Sequence, residues 1–265
     1  MKGRIATAAA LIATLAGAQP SASRAPAVSV SLSPPFIEKL ARPSGRLSDT
    51  IALTNGSLFP VDVSVDFADF RVSDRGEVEE MPPGVDPSSL ASHLHITPLT
   101  LRVNPKQRAY FRYTVETPAE FRQLREQIFF TSVPVVPNAA NQVVFVPRLG
   151  VPLYVENISA KPPAVRVDSV KWSRPSNDAL ELELDVRNDG ERNIRPKGFV
   201  EVRSIRGTFS STFPFNRGNE PLLPAQRRHW PLRFNPVPAG DLSVRLHFET
   251  SPRTAFDQQY RLAAF

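Results

Sequence analysis

The run VDVSVDFADF, at 61–70, alternates apolar and polar side chains with a period of two. Val61, Val63, Val65 and Phe67 fall on one side, and Asp62, Ser64 and Asp66 on the other. Successive side chains of an extended chain point to opposite faces, so this pattern suits a strand with one buried face and one wet face. Similar runs occur at 49–55 (DTIALTN), 99–105 (LTLRVNP) and 109–118 (AYFRYTVETP). They resume beyond residue 164 as AVRVDSVKW, ALELELDVRND, GFVEVRS, HWPLRFNP and LSVRLHFET. The 27 prolines punctuate the chain rather than cluster, with runs of this kind between them. ENISAKPPA (156–164) carries two adjacent prolines and reads as a boundary between the two sets. An all-β chain of two sandwiches in tandem is therefore expected, the first over 28–156 and the second over 164–265. VDPSSLASHL (85–94) is the best candidate for a helical turn, started by Asp86 or Ser88.

The chain has no cysteine, so neither disulfides nor thiolate zinc sites can hold it together. Each sandwich must rely on its own hydrophobic core, which a 41% hydrophobic content can fill. The first residues, MKGRIATAAALIATLAGAQP, combine Lys2 and Arg4, an apolar stretch and a small-x-small site at Ala16 to Ala18. That is the pattern of a secretory signal over 1–18, cut after Ala18. Its apolar stretch is shorter than the roughly 20 residues needed to span a bilayer.

The formal charge is +6, yet the arginines are scattered among acids, and no basic arm or aromatic-basic motif appears. Nucleic acid is therefore not an expected partner. His93 and His95 share one face of an extended segment but lack a third ligand nearby, so no metal site is assigned. His229 and His247 lack a companion serine-acid arrangement, and no phosphate loop or nucleophile elbow occurs. No enzymatic activity and no cofactor are expected. Trp172 and Trp230 lie inside alternating strands and read as core anchors.

Three runs resemble the periplasmic pilus-assembly chaperones of the P-pilus type. HITPLTLRVNPKQRAYFRYT (95–114) is similar to that family's apolar-Thr-Pro strand, turn and following strand. LREQIFFTSVPVVP (124–137) is similar to its Arg-Glu signature ahead of an aromatic-rich strand. QVVFVPRLGVPLYV (142–155) takes the place of the long last strand of the first domain. The resemblance implies two immunoglobulin-like domains set at an angle, acting in the periplasm without catalysis. That last strand would lend apolar side chains to an incomplete pilin-like or surface-fibre subunit, for delivery to an outer-membrane usher. Self-association through the same exposed edge is a further implied contact.

By that resemblance, Val143 and Phe145 are the donor side chains, while Val144 and Val146 face the chaperone's own core. Lys39 and Arg148 are the candidate anchors for a client's terminal carboxylate. The family's first base falls on Lys39 counting back from Asn55, or on Leu40 when its turn glycine is matched to Gly45, and the second falls on Gly150. Glu126 matches an acid that joins a charge network between the domains, although its usual arginine partner falls on Tyr154. The same tandem sandwiches would also suit a structural or cell-wall-binding envelope protein.

Overall fold

The structure, a computed structural model, describes residues 28–135 and 144–263. The proposed signal segment lies outside the described residues. Each alternating run named above lies on a strand.

The first sandwich packs two sheets face to face. One has the order β1 (Val30–Ser33), β3 (Arg46–Asn55), β8 (Arg108–Glu116) and β6 (Leu94–Thr97). The other runs β2 (Ile37–Ala41), β10 (Arg148–Asn157), β9 (Gln123–Pro134), β4 (Val61–Val72) and β5 (Val78–Met81). A short strand, β7 (Thr100–Val103), lies along the first half of β4. Ile51, Leu53, Phe111, Ile128, Phe130, Val151 and Leu153 fill the space between the sheets. The Phe111 and Phe130 rings meet edge to face, with centroids 5.1 Å apart.

The second sandwich pairs a sheet of β11 (Val165–Ser176), β12 (Ala179–Asn188) and β15 (Arg227–Phe234) with a second sheet. That sheet orders β14 (Ser210–Phe215), β13 (Gly198–Ser204), β16 (Leu242–Ser251) and β17 (Thr254–Leu262). Leu180, Leu182, Leu184 and Val186 present the buried face foreseen from their spacing, packed with Val200, Leu246 and Phe248. Trp230 is buried in this core against Phe215, and Trp172 is half-buried beside Phe234 and Tyr260.

Each sandwich is stapled by one buried asparagine at the end of a strand. The Asn55 amide donates to the carbonyls of Phe59 (2.9 Å), Val103 (3.0 Å) and Asn104 (3.2 Å), and its oxygen accepts the Ser57 N–H (2.9 Å). Asn188 repeats this in the second sandwich, donating to Arg192 (2.8 Å) and Leu222 (3.2 Å). Its oxygen accepts from Ala164 (3.1 Å) and Gly190 (3.0 Å). These side chains do for loop backbone what a neighbouring strand would otherwise do, since buried peptide groups need partners.

Residues 85–94 form turns and the start of β6 rather than a helical turn. Asp86 does accept the Ser88 N–H (2.9 Å), as a helix cap would. The Leu90 N–H, however, goes to the Arg125 carbonyl (3.2 Å) and the Glu126 carboxyl (3.1 Å). Tertiary acceptors therefore take the amide that a helix would have needed.

Candidate functional site at an open sheet edge

β1 and β2 follow one another in the chain but belong to opposite sheets. β1 pairs only with residues 52–55 of β3, and β2 pairs in parallel only with residues 153–157 of β10. Among the described residues, no strand lies beside 148–152 of β10 on the side away from β9. The Ser132 N–H donates to the Pro147 carbonyl (3.0 Å), which fixes the alternation along the β9–β10 ladder. Odd-numbered residues of β10 exchange bonds with β9, and Arg148, Gly150 and Pro152 turn their backbone groups outward. Proline has no N–H. The open edge therefore offers the N–H and carbonyl groups of Arg148 and Gly150, whereas the Pro152 carbonyl faces the Ile37 N–H where the β2 ladder begins. A row of unpaired peptide groups is a template for an incoming strand.

Side chains follow the same alternation. Val151, Leu153 and Val155 are fully buried between the sheets, so the odd positions of β10 face inward. Counting back by twos leads to Phe145, which is 73% exposed just ahead of the strand. Val143 lies outside the described residues. Val146 is 44% exposed rather than facing the core, because the inward set is the odd one and residues 144–147 precede the paired strand. The last inward row of the sandwich thus runs out into solvent as an exposed aromatic side chain.

The two candidate anchors are not brought together. The β2–β10 register sets Lys39 opposite Val155, seven residues from Arg148, or about 23 Å along the strand. They also leave opposite faces of the sheet. Lys39 lies on the inward face of β2 with the buried Ile37 and Ala41, bonded to Asp49 at 2.7 Å. That hydrogen bond holds the Asp49 carboxyl below its usual range. Lys39, Asp49, Phe36 and Tyr113 line a cleft of about 310 Å³ between β2 and the unpaired half of β3. Arg148 lies over the Phe129 ring, 3.2 Å from its centroid, and pairs with Glu80 (2.9 Å) and Asp66 (3.0 Å). Each cation is already matched by an acid, so neither could take a carboxylate without displacing one. A β-carbon at Gly150 would displace the end of the Gln127 side chain and come 3.0 Å from the Phe129 ring, so a side chain there needs both to shift.

Glu126 is not at the junction of the sandwiches. It is fully buried inside the first one, accepting from Leu90 N–H (3.1 Å) and Ser89 hydroxyl (3.4 Å). Its neighbour Arg125 donates to the Phe70 carbonyl (3.1 Å) and to Asp86 (3.1 Å). The Arg-Glu pair therefore clamps the 86–90 segment onto the sheet. Asp86 also bonds Arg71 at 3.2 Å. Burial would raise the Asp86 carboxyl, but the Ser88 N–H and the two arginines outweigh it and hold the group low.

The junction is built from residues that spacing did not single out. Tyr154, in place of the expected arginine, packs edge to face on Phe70 at 5.8 Å and joins Leu223 in a small apolar cluster. Glu156, 9% exposed, accepts the Asn193 N–H (2.5 Å) and the Gln123 amide (3.2 Å). Arg195 reaches from the second sandwich to Glu38 (2.7 Å) and lies over the Phe36 ring at 3.9 Å. The Gln226 amide donates to the carbonyls of Val72 and Ser73, both at 3.1 Å. An aromatic-apolar contact ringed by hydrogen bonds and by the Arg195–Glu38 and Arg122–Glu191 ion pairs thus stands where a network around Glu126 was expected. A buried Glu beside a Tyr, two residues apart on an inward-running strand, was the available signal.

No family model matches this chain, and no curated protein does either. Among solved structures, the class 5 fimbriae chaperone CfaA is similar at 11% identity, with 87% of this chain and 98% of that one covered and a TM-score of 0.47. The complex of the CsuC chaperone with the CsuE tip adhesion subunit, from Acinetobacter baumannii, is similar at 9% identity over 88% of this chain and 97% of that one, with a TM-score of 0.47. The Escherichia coli chaperone DraB is similar at 16% identity over 89% and 98%, with a TM-score of 0.42. The chain is thus similar, over most of its length and at low identity, to solved chaperones of pilus assembly.

Proposed function

We propose that this protein is an exported, non-enzymatic chaperone that holds a pilin-like or surface-fibre subunit by adding a strand to the client. The observation that carries this reading is the open edge at 148–151, continued by the exposed Phe145. The client would bond to the outward peptide groups of Arg148 and Gly150, and its groove would receive Phe145 together with Val143. Main-chain bonds supply affinity in this mode and alternate side chains supply specificity. Lys39 and Arg148 are engaged with acids, so recognition rests on the strand and its apolar row rather than on a carboxylate anchor. Delivery to an outer-membrane usher belongs to the same reading.

Purification from the envelope of the producing cell tests it. The expected result is a stoichiometric complex with a secreted subunit that is unstable alone. Sedimentation with peptidoglycan in the absence of any such subunit would instead identify a structural wall protein and overturn the chaperone reading.

A further inference from the structure

Two acids of the first sandwich face each other with no cation between them. The β4–β9 ladder ends at Ala68 opposite Gln127, and the next residues are Asp69 and Glu126. Both are buried, at 1% and 0% exposure, at the end of the core beneath the 86–90 segment. One oxygen of each holds that segment: Asp69 Oδ2 accepts the Asp86 N–H (2.6 Å), and Glu126 Oε2 accepts from Leu90 and Ser89. The other oxygens, Asp69 Oδ1 and Glu126 Oε1, are sealed from solvent and have no donor. Asp86 on the covering segment, Arg71 on β4 and Arg125 on β9 are charged neighbours of the pair in the chain and the ladder, and these three satisfy one another.

We propose that Asp69 and Glu126 share one proton, and that its loss releases the 86–90 segment from the sheet. A single proton placed between Oδ1 and Oε1 supplies the donor both oxygens lack and leaves the outer oxygens free to accept from the segment. Without it, two buried carboxylates on adjoining strands repel in a site that water does not reach. Burial, and then the adjacent Asp69, push the Glu126 carboxyl up to about 7. A carboxyl raised in this way stabilises the closed form fully below its ordinary value near 4.5, and that contribution is lost as pH rises through about 7. The segment also positions Asp86 for Arg125, which in turn holds the Phe70 carbonyl at the edge of the junction. The pair is therefore a proton-operated latch on a brace that reaches the second sandwich.

Hydrogen exchange at the Asp86 and Leu90 amides, corrected for intrinsic rates, tests the latch at about pH 5.5 and about pH 8. Protection should fall by roughly tenfold or more at the higher pH. In Glu126→Gln the amide replaces the shared proton as donor to Asp69 Oδ1, so protection should persist at both values. Asp69→Asn should behave alike from the other side. Exchange in the unaltered protein that ignores pH, or a Glu126→Gln variant that loses protection as the unaltered protein does, would overturn the proposal. Carbon-13 observation of the two carboxyls in the unaltered protein decides it if a variant fails to fold. One inflection near neutrality felt by both groups supports the shared proton; both fully ionised from about pH 5.5 upward contradicts it.

Discussion

Asn188→Ala should lower the stability of the second sandwich by about 3 kcal/mol, and Asn55→Ala should do the same to the first. Each asparagine is fully buried and donates to loop carbonyls while accepting loop amides. Alanine deletes one side chain but strands several peptide groups away from water, and each stranded group costs about 1–3 kcal/mol. A loss of this size corresponds to a fall in Tm of roughly 10 °C or more for a domain near 100 residues. Calorimetry of the two variants checks it, with each variant acting mainly on the transition of its own sandwich. A shift of under about 1 kcal/mol in both would mean that the loops find other partners, and the stapling role would fail.

Phe145→Asp should weaken the client complex by roughly 100-fold or more while leaving the fold unchanged. The side chain is 73% exposed, so its loss costs the folded protein little. Burial of a phenylalanine in a client groove is worth about 1.5–3 kcal/mol, and a buried, unpaired carboxylate adds its own desolvation cost. Together these exceed the roughly 2.8 kcal/mol that corresponds to a 100-fold change in affinity. Arg148→Ala and Lys39→Ala serve as contrasts. Both remove exposed ion pairs of small value, and their effect on the complex should stay within a few-fold. Binding titrations that show Phe145→Asp at the affinity of the unaltered protein would remove the aromatic row from the site.

How much of this was readable from residues alone depends on the range of the interaction. Leu180, Leu182, Leu184 and Val186 declare a strand by themselves, because a period of two is local, and all four are buried in the core. The tandem arrangement followed from two sets of such runs. Glu126 shows the limit: it is one residue from Arg125 in sequence, yet the two serve one clamp whose other half lies at 86–90. The opposing Asp69 is 57 positions away, and only the β4–β9 register sets it there. Gly150 likewise could not reveal that the end of Gln127 and the Phe129 ring lie over it. The open edge was implied only by the family resemblance. It arises because the N-terminal stretch changes sheets between Ser33 and Ile37, a choice of topology that alternation does not encode.

The most direct test of strand addition is hydrogen exchange at the Arg148 and Gly150 amides, read in the free protein and in a stoichiometric client complex. Both amides point away from β9 on the unpaired edge, so they should exchange rapidly in the free protein. In the complex they should become protected together, as donors in a new ladder. A stoichiometric complex in which both amides exchange as fast as in the free protein would show that the client binds elsewhere, and strand addition at β10 would be wrong.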